Sequence, residues 1–336
     1  MLKKTLIFSL LTLAGWQAWA QDPITRDKGF YLKAAGGYFF SVSPGQFPNV
    51  GPYEPKEIYQ TVNPATGAYT VTSQKILTGS YGAGARGGLT FGYQFTRYVS
   101  AELAVNYYHS KKNLMTYQNT TIQNTTTKAG EVRSHGHVNA LDVAPSLVMS
   151  PGLSGRLNPY IRIGVVVPVW GRLIIETEGY RLSSVPGQPA LSAQTNIQRE
   201  EKVKPNATIG FQGALGVTLK AGNRLSFFLE TEYRNVPVVG KSKEVTAYNE
   251  TTNVINNTNG SVVSSSSRGI NDLSTAERNT TYHTTINQNS NTPTGTTDPA
   301  HPTQTQYKDN NRPADDLRSY INIGGLGLNL GIRLNI

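Results

Sequence analysis

Three histidines, His109, His135 and His137, are the residues whose type first suggests chemistry, and two of them adjoin a serine, Ser110 and Ser134. Three imidazoles brought together suit zinc, and a histidine beside a hydroxyl suits acyl transfer or deacylation. Both readings lack a member. No carboxylate stands beside the histidines to orient the rings, and no Ser-His-Asp spacing stands out. The sequence therefore predicts no catalytic residue, no metal and no cofactor.

Two charged sets carry more information. Lys33, Arg86, Glu102, Asp142, Arg162, Lys220, Glu230, Glu232, Arg234 and Arg333 all fall on the polar parity of segments that alternate apolar with small or polar residues. With six basic and four acidic members, they predict an ion-paired network inside whatever those segments enclose. Lys111, Lys112, Arg172, Lys202, Lys204, Lys241 and Lys243 fall instead where the segments end. Lysine and arginine give charge-assisted hydrogen bonds to phosphate, so this second set predicts a rim that contacts phosphorylated lipid.

The elements that must position both sets follow from one stretch. From Leu326 every second residue is a large aliphatic, Leu326, Leu328, Leu330, Ile332, Leu334 and Ile336, separated by Gly327, Asn329, Gly331, Arg333 and Asn335. A period of two is a strand with one apolar and one polar face. Seven earlier segments repeat it, at 30–42, 86–95, 98–110, 138–150, 157–170, 207–220 and 225–239, with the eighth at 319–336. Pro145 and Pro168 interrupt the fourth and fifth, where a bulge or weakened pairing is expected. Short connections after the second, fourth and sixth segments alternate with long ones at about 43–85, 111–137, 171–206 and 240–318. Within the first long connection, residues 57–75 predict a hairpin around Asn63-Pro64-Ala65-Thr66-Gly67. The last is rich in Asn, Thr and Ser and is expected to be partly mobile.

Composition sets the compartment. Lys3 and Lys4, an apolar run to Gly15 and Ala18-Trp19-Ala20 make a cleavable export signal over 1–20. No later run approaches the ~20 apolar residues of a membrane helix. Cysteine is absent, which excludes disulfides and thiolate chemistry. The formal charge of +10 falls to +8 without Lys3 and Lys4 (10 − 2), and an exported chain with no basic helix directs it toward acidic surfaces rather than nucleic acid. Aromatics suggest two interfacial girdles, one of Phe30, Phe95, Tyr98, Tyr160 and Phe227, the other of Phe40, Tyr107, Trp170, Tyr233 and Tyr320.

On the signal, the eight alternating segments and the short-long alternation of connections, the chain resembles the small eight-stranded outer-membrane barrels, the OmpA-like transmembrane domain and OmpX type. The final strand keeps that family's alternation, while the terminal Ile336 departs from the aromatic that commonly ends it. The resemblance implies an all-β fold, an eight-stranded antiparallel transmembrane β-barrel over 21–336 with long extracellular loops and both termini periplasmic. It also implies insertion by the barrel assembly machinery. The basic rim is expected to bind lipopolysaccharide phosphates, and with the chain stopping at Ile336 the peptidoglycan-binding domain that follows some of these barrels is expected to be absent. The function expected is a non-enzymatic scaffold whose loops serve membrane integrity, adhesion, or contact with an extracellular ligand or host surface. A narrow pore for ions or small solutes is the alternative, and a lipid-modifying enzyme a more distant one.

Overall fold

The computed structural model describes residues 28–42, 44–185, 187–296 and 304–336, so the export signal read at 1–20 lies outside the described residues. Those residues are all-β: they contain 21 strands, one α-helical turn at Thr275–Arg278 and one 3-10 turn at Ile270–Asp272. No helix among them is long and apolar enough to cross a membrane.

Eight of the strands form a cycle. We number them β1 (Gly29–Phe40), β2 (Gly84–Gln94), β3 (Val99–Ser110), β4 (Lys128–Met149), β5 (Leu157–Val185), β6 (Gly210–Lys220), β7 (Leu225–Asn235) and β8 (Leu326–Asn335). Each pairs antiparallel with its predecessor and its successor. Strand β1 also pairs with β8, Leu32 opposite Leu334 and Tyr38 opposite Leu328. In such a cycle every strand has a paired neighbour on both sides.

Burial around the cycle is inverted relative to a water-soluble core. Leu89, Phe91, Leu103, Ile163, Phe211, Leu215, Leu330 and Ile332 are exposed, whereas Lys33, Glu102, Arg162, Glu230, Glu232 and Arg234 are buried. The alternation predicted from sequence thus holds with its apolar face outward. Inward glycines make room for inward aromatics: a Cβ on Gly92 would lie 2.2 Å from the Tyr31 ring, and one on Gly216 would lie 2.3 Å from the Tyr160 ring. Tyr160 is therefore a correction to the girdle predicted above. It shares the parity of Arg162 and points inward, buried. The other nine girdle aromatics are exposed.

Above the cycle the long connections are largely strand, which corrects the expectation of loops. Strands β4 and β5 run on to Lys128 and Val185, and are extended by Gln188–Pro205, Pro237–Asn256 and Val262–Gly269 in one continuous antiparallel sheet. The segment 240–318, expected to resist ordering, supplies two of those strands as well as Asn279–His283 and Ala314–Leu317. Pairing satisfies the backbone there, and its Thr and Ser side chains bond across strands, Thr195 to Thr252 at 2.9 Å and Ser265 to Asn253 at 2.8 Å. The predicted hairpin is present as Lys56–Val62 and Tyr69–Ile76, closed by Asn63, whose Oδ1 accepts from the Ala65 amide, and by Gly67 at φ +67°.

The prolines act as expected, each in its own way. At Pro168 the β4–β5 register slips by one residue, whereas at Pro145 the register is kept but the pairs of Val165 and Val166 with β4 are missing.

Candidate functional site

The inward faces of β1 to β8 bring eight of the ten predicted network residues into one cluster. Four cations, Lys33, Arg86, Arg162 and Arg234, meet four carboxylates, Glu102, Asp142, Glu230 and Glu232, and all eight are buried. Lys33 Nζ lies 3.2 Å from Glu102, which also accepts a hydrogen bond from Tyr31 Oη at 3.0 Å. Arg162 binds Glu230 through two nitrogens and reaches Glu232 at 3.2 Å. Arg234 joins Glu232 to Asp142, its Nη1 lying 2.9 Å from Asp142 Oδ2. Arg162 Nε lies 3.8 Å from Glu102, which joins the Lys33 pair to the same network. A buried charge is tolerated only when paired and hydrogen-bonded, and here the four positive charges are matched by four negative ones.

Neutral residues complete the network. Asn106 donates to Asp142 at 2.8 Å, Asn329 to Glu232 at 2.7 Å and Tyr160 to Glu230 at 3.0 Å. Aromatic faces cover the cations: the Arg86 guanidinium lies 4.0 Å from the Phe39 ring centre, and Lys33 Nζ lies 4.3 Å from that of Phe228. Arg86 Nε and Nη1 have no hydrogen-bond partner among the described residues, so these ring contacts and the 3.8 Å approach to Glu232 are what hold them. These neutral partners follow from the same parity as the charges: Tyr31 stands two residues before Lys33, Tyr160 two before Arg162.

Two predicted members lie outside the cluster. Lys220 ends β6 and is exposed, and Arg333 is half-buried, stacked 3.7 Å from the Tyr31 ring centre and donating to Gln94. Both line a cavity of about 620 Å³ at the end of the cycle that carries the short connections. A further, smaller cavity of about 30 Å³ lies within the cluster itself.

His109 and the two serines, Ser110 and Ser134, bond elsewhere. His109 and His137 are ring neighbours at 5.6 Å, with His109 Nδ1 2.6 Å from Asn139 Oδ1. Ser110 Oγ accepts from the Val138 amide and donates to the Lys111 carbonyl, and Ser134 Oγ bonds Thr177 Oγ1. Neither hydroxyl is offered to an imidazole.

No family model and no curated protein matches the chain. Among solved structures it is similar to the outer membrane protein OprG from Pseudomonas aeruginosa, at 10% identity and a TM-score of 0.32, over 93% of this chain and 97% of that one. At that score the likeness carries no argument, and function rests on the chain's own residues.

The predicted rim divides on inspection. Lys243 is the correction: it is buried, 2.9 Å from Glu201, in an interior pair that Arg199 joins at 2.7 Å. Burial alone would raise the Glu201 carboxyl, but the Arg199 and Lys243 cations override it and hold it below the ordinary carboxylate range. Lys112 pairs with Glu176 at 2.5 Å, Lys202 with Glu200 at 3.0 Å and Lys204 with Glu244 at 3.7 Å. Lys111, Arg172 and Lys241 form no ion pair among the described residues, and they are the rim members free to meet an external anion.

Proposed function

We propose that the chain is an outer-membrane protein in which β1 to β8 form an eight-stranded transmembrane barrel, closed within by its ion-paired network and used as a scaffold for the strand-rich extension above. The observation that carries this reading is the inverted burial. A belt of exposed Leu, Ile, Val and Phe surrounds a buried layer of Lys, Arg, Asp and Glu, an arrangement stable only if the outside is hydrocarbon. In this orientation the short connections at 95–98, 150–156 and 221–224, the start of β1 and the end of β8 face the periplasm, and the extension faces outward. The exported chain reaches that position through the barrel assembly machinery after losing residues 1–20. The extension then offers the surface for adhesion, ligand contact or lipopolysaccharide.

The interlocked charges support a scaffold rather than a pore, because eight buried, mutually paired side chains occupy the interior of the cycle. The test is a pair of measurements on the purified folded protein. Unheated and boiled samples should migrate differently on a denaturing gel, and liposome-inserted protein should pass no steady current across a planar bilayer. Identical migration with failure to insert overturns the barrel. Stable unit conductance overturns the closed scaffold and establishes the narrow pore.

A further inference from the structure

The cycle has a seam. Strand β5 pairs with β6 only as far as Val166 opposite Gly210, and with Gln188–Pro205 only from Leu173 opposite Val203. Between them, residues 167–172 of β5 have no partner on that side. Pro168 and Pro205 lack the amides that would close it. Residues 206–209 lean the other way: the Asn206 amide donates to the Val239 carbonyl at 2.8 Å, and Thr208 Oγ1 to the Pro237 carbonyl at 2.7 Å. A cavity of about 240 Å³ occupies the seam.

Its walls and its mouth differ in character. Buried Val138, Leu173 and Val203 form the depth of the cavity, whereas Val169 and Trp170 belong both to its lining and to the exposed apolar belt. The cavity therefore opens sideways on the surface we read as lipid-facing, and not along the barrel axis. Arg172, one of the three rim cations without an acidic partner among the described residues, also lines it. An apolar slot beside hydrocarbon with a cation among its lining residues suits an acyl chain joined to an anion.

We propose that the seam between β5 and β6 is a binding site for one acyl chain of a phosphorylated lipid, with the lipid phosphate at Arg172. The proposal rests on the membrane reading above. Most of the lining is apolar side chain, Val138, Val169, Leu173, Val203 and Val238, so beside hydrocarbon the cavity favours a lipid chain. The guanidinium then selects lipids whose head group carries phosphate close to the glycerol or sugar. The seam works as a lateral recess and leaves the ionic network untouched.

Trp170 makes the test direct, because the other two tryptophans, Trp16 and Trp19, fall within the export signal. Mature protein, first shown to insert into liposomes, is titrated in non-ionic detergent with phosphatidic acid bearing a brominated chain. Trp170 fluorescence should be quenched saturably at about one lipid per protein. Val238→Phe and, independently, Ala207→Leu fill the cavity and should remove the saturable component while keeping the heat-dependent gel shift. Arg172→Gln should weaken phosphatidic acid by about fivefold, the scale of one exposed charge-assisted contact, and leave brominated diacylglycerol unchanged. Quenching that merely tracks the lipid-to-detergent ratio, equally in both filled variants, overturns the site while the barrel stands. Failure to insert overturns the membrane reading, and the site with it.

Discussion

Strand β5 passes through two different proteins. Below Pro168 its exposed residues are apolar, Leu157, Ile161, Ile163 and Val165, and its buried ones include Arg162. Above the one-residue slip at Pro168 the phase reverses: Leu173 and Ile175 are buried, and the residues between, Arg172, Ile174 and Glu176, are half-buried. Strand β4 makes the same change without a bulge. Its outward positions are Leu141, Val143 and Leu147 below, and His137, His135 and Arg133 above, while its inward ones go from Ser146 and Asp142 to Ala140 and Val138. One backbone geometry therefore serves two kinds of surroundings, and if hydrocarbon surrounds the lower half, the level of Pro168 is where it gives way to water. The bulge is how β5 keeps one apolar run continuous with both surroundings.

The two halves also solve the buried-charge problem differently, and the largest expected effect breaks that contrast. In the lower half eight charges interlock, so removing one leaves its partners stranded in a low dielectric. Glu232→Ala should destabilise the folded barrel by about 3–5 kcal/mol, because Arg162, Arg234 and Arg86 all lose a carboxylate. Urea unfolding in liposomes measures it; a loss under about 1 kcal/mol would mean that water, not the network, screens these groups.

Next in size is the outward face. Leu215 is exposed on β6, and Val263 is exposed on the upper hairpin strand Val262–Gly269. If hydrocarbon surrounds only the lower half, Leu215→Arg should cost about 2–4 kcal/mol in a bilayer and Val263→Arg within about 0.5 kcal/mol of nothing. Equal costs at the two positions would erase the boundary at Pro168.

How legible each half was in the sequence follows from the same contrast. Hydrocarbon outside and charge inside is the strongest alternation a strand can carry, so parity alone located Lys33, Glu102, Arg162, Glu230 and Arg234. It misplaced Lys220 because the last residue of a strand already sits in an open mouth. Tyr160 stands near the turn, where an interfacial aromatic is expected, yet it shares the inward parity of Arg162 and is buried. In the upper half both sheet faces are half-buried, and register slips at Glu200/Glu201 and Lys204/Pro205 reset the phase, so no single parity survives. Lys243 escapes the parity for that reason, since its partner Glu201 lies on the neighbouring strand at no regular sequence spacing.

Acid should separate the halves further. The Glu201 carboxyl is held low in the folded state by Arg199 and Lys243, with Tyr282 and Tyr307 also facing it. A depressed carboxyl contributes stability above its unfolded value of about 4.3 and loses it as pH falls through the folded one. Hydrogen exchange in Gln188–Pro205 and Pro237–Asn256 should therefore quicken as pH drops below about 4, after correction for the intrinsic rate. Glu201→Gln should remove that added pH dependence. Parallel acceleration in wild type and variant would assign the loosening to other carboxylates.

The smallest effect concerns the level at which the two halves meet. Lys111 and Lys241 stand there without acidic partners, whereas Lys112 and Lys204 already neutralise Glu176 and Glu244. A cation with its own carboxylate has little left to offer a lipid phosphate, so position alone does not make a rim residue. The double variant Lys111→Gln, Lys241→Gln should lower the melting temperature in lipopolysaccharide by about 2 °C, and leave it unchanged in neutral detergent. Lys112→Gln with Lys204→Gln should produce no difference between the two media, because what it removes is internal pairing. The first effect should fade with added salt as the exposed contacts are screened. If both pairs responded alike to lipopolysaccharide, the boundary would be binding phosphate through its summed field, and the distinction between paired and free cations would have no functional meaning.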